Sequence, residues 1–103
     1  MSSEQPATSA DRSRLTRSQQ RVLLAIANGA TLKSHRYLDG TKVYQLHALD
    51  GSAQSIERRT VEGLRDKGLI DSNKKFPAAT YWLTVKGRQV AAALMEQKSD
   101  RIR

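Results

Sequence analysis

The sequence predicts an α+β domain of element order α-β-β-α-β-β-α, and three observations carry that expectation. Apolar residues recur at helical spacing in three stretches, 17–28, 56–67 and 85–98. Asp39-Gly40 separates two extended segments and is a dipeptide suited to a tight hairpin turn. A second extended pair flanks a basic tip, residues 73–78, which Pro77 breaks.

At 103 residues, 38% of them hydrophobic and 5% aromatic, the chain can build one small core. That core is expected in a single domain over residues 15–98. Residues 1–14 are rich in Ser, Gln, Ala and Thr and cannot return the entropy cost of ordering, so they read as a flexible basic and polar tail. Residues 99–103 are expected to fray. Lys and Arg number 18 against 10 Asp and Glu, a net charge of +8, and such an excess suits a nucleic-acid partner first. The absence of cysteine removes disulfides, thiolate nucleophiles and cysteine-ligated zinc, and fits a reducing cytoplasm. The longest unbroken apolar stretch, Val22 to Ala27, is far short of the roughly 18 residues that span a bilayer. With polar opening residues as well, a soluble cytoplasmic protein with no membrane partner is expected. No internal repeat of any period stands out.

The first helix is expected from Arg17 to Asn28. Thr16 with Gln19 three residues on has capping-box spacing, Leu15, Val22, Leu23 and Ile26 form one stripe, and Asn28-Gly29 supplies the stop. Two strands follow, Thr31 to Leu38 and Thr41 to His47. With a two-residue turn at Asp39-Gly40, Leu38 pairs with Thr41, which sets Tyr37, His35 and Lys33 on one face with Lys42, Tyr44 and Leu46. Leu49-Asp50-Gly51-Ser52 reads as a loop, and Ser55 as the cap of a second helix, Ile56 to Lys67, stopped by Gly68. Its inward residues are Ile56, Thr60, Val61 and Leu64, with Gly63 lowering intrinsic helicity. The second hairpin has arms Leu69 to Ser72 and Ala79 to Thr84. Thr84 then opens the closing helix, Val85 to Lys98, whose stripe of Val90, Ala93 and Leu94 is broadened by Ala91, Ala92 and Met95.

The run from Ser55 to Ile70 resembles the recognition helix of bacterial winged-helix regulators and its exit into the wing. Thr60, Leu64 and Gly68-Leu69-Ile70 stand where that pattern wants them. Tyr81 to Arg88 is similar to the return strand of such wings, where a Leu-Thr-x-x-Gly-Arg segment opens the closing helix. Thr16-Arg17-Ser18-Gln19 leading to Leu23 and Gly29 is similar to the opening helix, so the likeness spans Leu15 to Met95. It implies a winged-helix-like fold with a basic wing hairpin. The departure lies between Gly29 and Gly51, where a helix-turn-helix needs a supporting helix and this chain offers an Asp-Gly hairpin. That departure puts ordinary docking of the recognition helix in doubt. In its element order the chain most resembles the small YjhX-like proteins of toxin–antitoxin pairs, a likeness that assigns no residue roles.

Arg58 and Arg59 near the start of the second helix suit phosphates or guanine edges in a major groove, or else a solvated face. Glu57 and Glu62 beside them would repel phosphate. Arg65 points the same way. Lys74 and Lys75 at the hairpin tip suit backbone phosphates, or protection of a strand edge. Lys86 and Arg88 sit in the first turn of the closing helix, where the helix dipole disfavours positive charge; a nearby phosphate would favour it, or else the two are loosely held surface charges. Arg17 belongs to a basic run with Arg12, Arg14 and Arg21 that suits backbone phosphates, or else forms a solvated tail. Trp82 either faces outward on the wing, if Tyr81 and Leu83 face the core, or packs against the first hairpin, the preferred reading. His35 and His47 fall on opposite faces in the expected register and cannot share a metal.

No phosphate-cradling glycine loop, nucleophile elbow or pair of histidines at helical spacing is present, so no enzyme activity, cofactor or metal is expected. The expected function is binding of double-stranded DNA through helix 56–67 and the 73–78 tip, in a bacterial or phage regulator of transcription. The alternative is a protein-interaction module, an inhibitor, adaptor or toxin–antitoxin component, that binds an acidic protein. Its motivation is the missing supporting helix with Phe76, Tyr81 and Trp82 near one hairpin. The alanines at 91–93 would let two closing helices approach in a homodimer.

Overall fold

Thr16 and Gln19 satisfy each other's backbone amides: Gln19 N donates to Thr16 Oγ1 and Thr16 N to Gln19 Oε1, both at 3.0 Å. That reciprocal cap opens α1, Arg17–Ala27, which Asn28 and Gly29 (φ 109°) close. The computed structural model describes residues 14–102, so all but the last residue of the expected tail lies outside the described residues. After α1 come β1 (Thr31–Arg36), β2 (Lys42–His47), β3 (Ala53–Ile56), α2 (Arg58–Asp66), β4 (Ile70–Ser72), β5 (Ala78–Leu83) and α3 (Val85–Ile102). The class is α+β, with three helices and one antiparallel five-stranded sheet of order β3-β2-β1-β5-β4.

The first hairpin corrects the expected register. Tyr37 N donates to Thr41 O at 2.8 Å and Gly40 N to Tyr37 O at 2.9 Å, so the loop holds three residues, Leu38, Asp39 and Gly40. Gly40 alone takes the positive φ, 93°, in the loop-plus-bulge geometry that follows a two-residue turn in frequency. Asp39 stays at negative φ and accepts Thr41 N on Oδ1 at 2.9 Å. The extra residue pairs Arg36 with Lys42, Ser34 with Tyr44 and Leu32 with Leu46. Leu32 and Ser34 therefore share the buried face with Tyr44 and Leu46, while Lys33, His35 and Tyr37 are exposed. A one-residue slip moves every side chain to the other face.

Strand β3 is the second correction. Leu49-Asp50-Gly51-Ser52 nearly repeats Leu38-Asp39-Gly40-Thr41 and builds the same turn. Ala48 N donates to Ser52 O, Gly51 N to Ala48 O, Gly51 has φ 93°, and Asp50 Oδ1 accepts Ser52 N. The chain returns along β2 with Ser55 opposite Gln45, so Ser55 is a strand residue and caps nothing. The cap position of α2 is Glu57, which makes no side-chain capping bond, and the helix starts at Arg58 rather than Ile56.

Helices α1 and α2 cover the inner face of the sheet, and α3 lies on α1 and the end of β5. Leu23, Leu32, Val61, Leu64 and Leu69 are buried completely or within 1%, each contributing about 1.5–3 kcal/mol of burial. Gly63 is where α2 meets α1: a Cβ there would collide with the Gln19 side-chain amide, which explains a glycine inside a short helix. Gly68 (φ 74°) stops α2 as expected. Thr84 Oγ1 donates to Gly68 O at 2.6 Å and accepts Gly87 N at 3.0 Å, tying the start of α3 to the end of α2. In α3, Ala91 is buried with Val90 and Leu94 half-buried, while Ala92 and Ala93 are exposed, so Ala93 leaves the expected stripe. The helix continues to Ile102 rather than ending at Lys98.

Candidate nucleic-acid interface

Helix α2 has nine residues, about 13 Å of axis, and leads through Gly68 into β4. Thr60, Val61 and Leu64 face the core. Arg58, Glu62 and Arg65, at spacings of four and three, therefore line the opposite side. At the N-terminal end of this stripe Arg58 Nε donates to Glu62 Oε2 at 2.8 Å, and Arg59 Nε lies 3.6 Å from Glu57 Oε1. The Glu62 bond and charge hold the Arg58 guanidinium above its ordinary pKa. The two arginines that lead the sequence reading are thus each paired with a carboxylate. Both pairs are exposed, which keeps them open to exchange for another anion.

The other end of the stripe is different. Arg65 converges with Lys74 and Lys75 of the β4–β5 tip on a cavity of about 230 Å³, and Arg36 and Lys42 from the first hairpin join them. No Asp or Glu lines it. The tip is held by Asn73, whose Oδ1 accepts Lys75 N at 3.1 Å and Thr80 N at 3.2 Å. Lys74 N donates to Ser72 Oγ at 3.2 Å, with Lys74 itself in the left-handed region at φ 56°. Arg36 N donates to Pro77 O at 2.8 Å, which ties the tip to β1. The Phe76–Pro77 peptide is cis.

Three of the sequence-predicted residues, Arg65, Lys74 and Lys75, are thereby brought together, and Arg58 and Arg59 stand at the far end of the same helix. Lys86 and Arg88 do not join them: they follow the C-terminal end of β5, a six-residue strand of roughly 20 Å, whereas the tip precedes its start. Arg88 instead lines a cleft with Trp82, Ile26, Ala27 and Met95. Trp82 is outward and 45% exposed, and the residues sharing its cleft come from α1, β5 and α3, not from the first hairpin. Arg17 is exposed on the first turn of α1. Arg36 and Lys42 were missed because only the three-residue loop makes them cross-strand partners.

His35 and His47 both lie on the outer face, opposite Val43 and Thr31, which corrects the expected register. Four residues of strand, about 13 Å, separate them, too far for one metal ion. A larger cavity of about 390 Å³ between α1, β3 and the start of α2 has mixed charge, with Arg21 and Glu57 both lining it. Among the described residues no helix is long and apolar enough to cross a membrane. Compared with family models, with curated proteins and with solved structures, the chain matches none.

Proposed function

We propose that this protein binds double-stranded DNA with the exposed stripe of α2 and the β4–β5 tip, and that it regulates transcription. The observation that carries the reading is the convergence of Arg65 with Lys74 and Lys75, two elements meeting as one cationic surface in a chain of net charge +8. A helix fits a major groove about 12 Å wide, and a basic hairpin beside it reaches flanking phosphates, each neutralised phosphate adding affinity through counterion release. The topology supports a winged-helix-like reading: α2 runs into a hairpin whose return strand β5 pairs with β1. In that reading β2 and β3 stand in for the supporting helix, and the contact leans toward the C-terminal end of α2, away from Glu57 and Glu62. The test is titration of a mixed-sequence duplex with wild-type protein and with an Arg65→Gln/Lys74→Gln/Lys75→Gln variant. Affinity should fall about 1000-fold or more in the variant, given about 1.5 kcal/mol or more for each of three charged contacts. Equal affinity in a folded variant refutes the reading.

A second reading, an acidic protein as partner, draws on the exposed Phe76, which lines the basic cavity, and on the exposed Tyr37 and Leu38 at the turn of the first hairpin. Apolar and aromatic side chains beside positive charge suit a protein interface. A stoichiometric protein retained after nuclease treatment, with no duplex binding, would favour it.

A further inference from the structure

The inner face of the sheet changes character along its length. At one end it carries Leu32, Leu46, Ile70 and Leu83, all buried in the core. One alternation further toward the first turn and the basic tip, Leu32 gives way to Ser34 on β1 and Ile70 to Ser72 on β4, beside the buried Tyr44 and Tyr81, and a second step along β2 reaches Lys42. Ser34 and Ser72 are buried, 4% and 9% exposed, at positions where alternation would ordinarily place an apolar residue. Both line the cationic cavity.

Arg36 and Lys42 add a second anomaly, since they are directly opposed across the β1–β2 ladder. Like charges in that position repel and weaken the pairing. Lys42 Nζ lies 5.3 Å from the centre of the Tyr44 ring, a contact that partly offsets its charge. Among the described residues the only ion pairs are those of Arg58 and Arg59, so none joins the five cations of the cavity to a carboxylate. An anion seated between them would turn the repulsion into attraction.

The chemistry of the lining selects the anion. Arg36 Nη1 donates to Gly40 O at 3.3 Å, and its remaining N–H groups with the Arg65 fork can hold oxygens of a tetrahedral or planar oxyanion, while three ammonium groups add point charges. Ser72 Oγ already accepts Lys74 N, which leaves its proton free to donate. A volume of about 230 Å³ holds a phosphate group and several waters, each water taking about 30 Å³.

We infer that this cavity is a seat for one phosphate group, with Arg36 and Lys42 of the first hairpin as ligands beside Arg65, Lys74 and Lys75. In its first form the phosphate is a backbone phosphodiester of bound DNA, and that form rests on the function proposed above. Free phosphate or a phosphate monoester offers the same oxygens and is the other source.

Two measurements separate the sources. Inorganic phosphate and pyrophosphate are titrated into the wild-type protein at low salt and followed by backbone amide chemical shifts, which needs no variant to fold. A duplex is titrated across a salt series with wild type, Arg36→Gln, Lys42→Gln and the control Lys33→Gln, whose charge lies on the outer face. The inference expects saturable amide shifts confined to residues 34–36, 42, 65, 72–76 and 78–79. It also expects about tenfold weaker duplex binding by Arg36→Gln and by Lys42→Gln, each with a shallower salt slope, and no such change in Lys33→Gln. Localised phosphate shifts without any duplex binding keep the seat, with a free phosphate as its ligand, and overturn the DNA reading. Duplex binding untouched by either variant, with no localised phosphate shifts, overturns the seat and leaves the DNA reading standing.

Discussion

Arg58 Nε donates to Glu62 Oε2 over 2.8 Å, one turn along the exposed side of α2. The bond holds the guanidinium in place but neutralises it at the position where a recognition helix would present charge. With Arg59 beside Glu57, the N-terminal turn of α2 carries two positive and two negative groups, and the net positive field of the helix comes from Arg65 onward.

Releasing those arginines should strengthen DNA binding. A Glu57→Gln/Glu62→Gln variant is expected to bind duplex more tightly and with a salt slope steeper by roughly 1 to 2, because each freed arginine can neutralise a phosphate. Arg58→Gln/Arg59→Gln is expected to weaken binding while leaving the circular dichroism spectrum unchanged. Anisotropy titration checks both.

Gly63→Ala should destabilise although alanine is the better helix former by about 1 kcal/mol. The new methyl collides with the amide of Gln19, which is buried and held in the capping box of α1. A net loss of about 1–3 kcal/mol in urea unfolding is expected. In a Gln19→Ala background the collision partner is gone, so the same substitution should cost less, a coupling that a double-mutant cycle reads directly.

Gly87→Ala should be more damaging than Gly63→Ala. Its Cβ would meet the Leu69 carbonyl, a backbone atom that cannot rotate away, at the junction where Thr84 already binds Gly68 O and Gly87 N. A loss of about 3 kcal/mol or more, or failure to fold, is expected in the same assay.

The two repeated turns make stability depend on acid pH. The Thr41 backbone amide, then its hydroxyl, holds the Asp39 carboxyl below its ordinary value of 3.8, and Ser52 does the same for Asp50. A carboxyl lowered in the folded state contributes stability that is fully present above the unfolded value and is lost as pH falls through the folded one. Urea midpoints should therefore drop below about pH 4, and Asp39→Asn/Asp50→Asn should flatten that part of the profile.

Lys74 sits at φ 56°, a region that costs a residue with a Cβ about 1 kcal/mol. Lys74→Gly should accordingly fold with unchanged or slightly higher stability while weakening duplex binding. Thermal unfolding and anisotropy on the same sample separate the two effects.

Local signals were legible and non-local ones were not. Thr16 with Gln19, Asn28-Gly29, Gly68 and Thr84 mark helix ends in the sequence because caps and stops depend on neighbours a few residues away. Ser55 misled because a serine before an apolar run looks the same whether the preceding Asp-Gly ends a loop or turns a hairpin. The near-repeat of Leu38-Asp39-Gly40-Thr41 at residues 49–52, with Ser52 in place of Thr41, carried that information, since similar sequences built the same turn. The register of β1 hinged on one loop residue, and with it the place of Arg36, Lys42, His35 and His47. Arg65, Lys74 and Lys75 could be named singly, but their meeting depends on the packing of α2 against β4 and on the bond from Arg36 N to Pro77 O.

Anisotropy of a labelled mixed-sequence duplex with nuclease-treated protein, repeated across a salt series, tests the central claim most directly. One phosphate at the cavity and further phosphates along the exposed stripe of α2 predict log affinity falling with log salt at a slope clearly steeper than −1, at about −0.9 for each phosphate neutralised. No duplex binding even at low salt would contradict the account, and would assign the charge of this surface to an acidic protein instead.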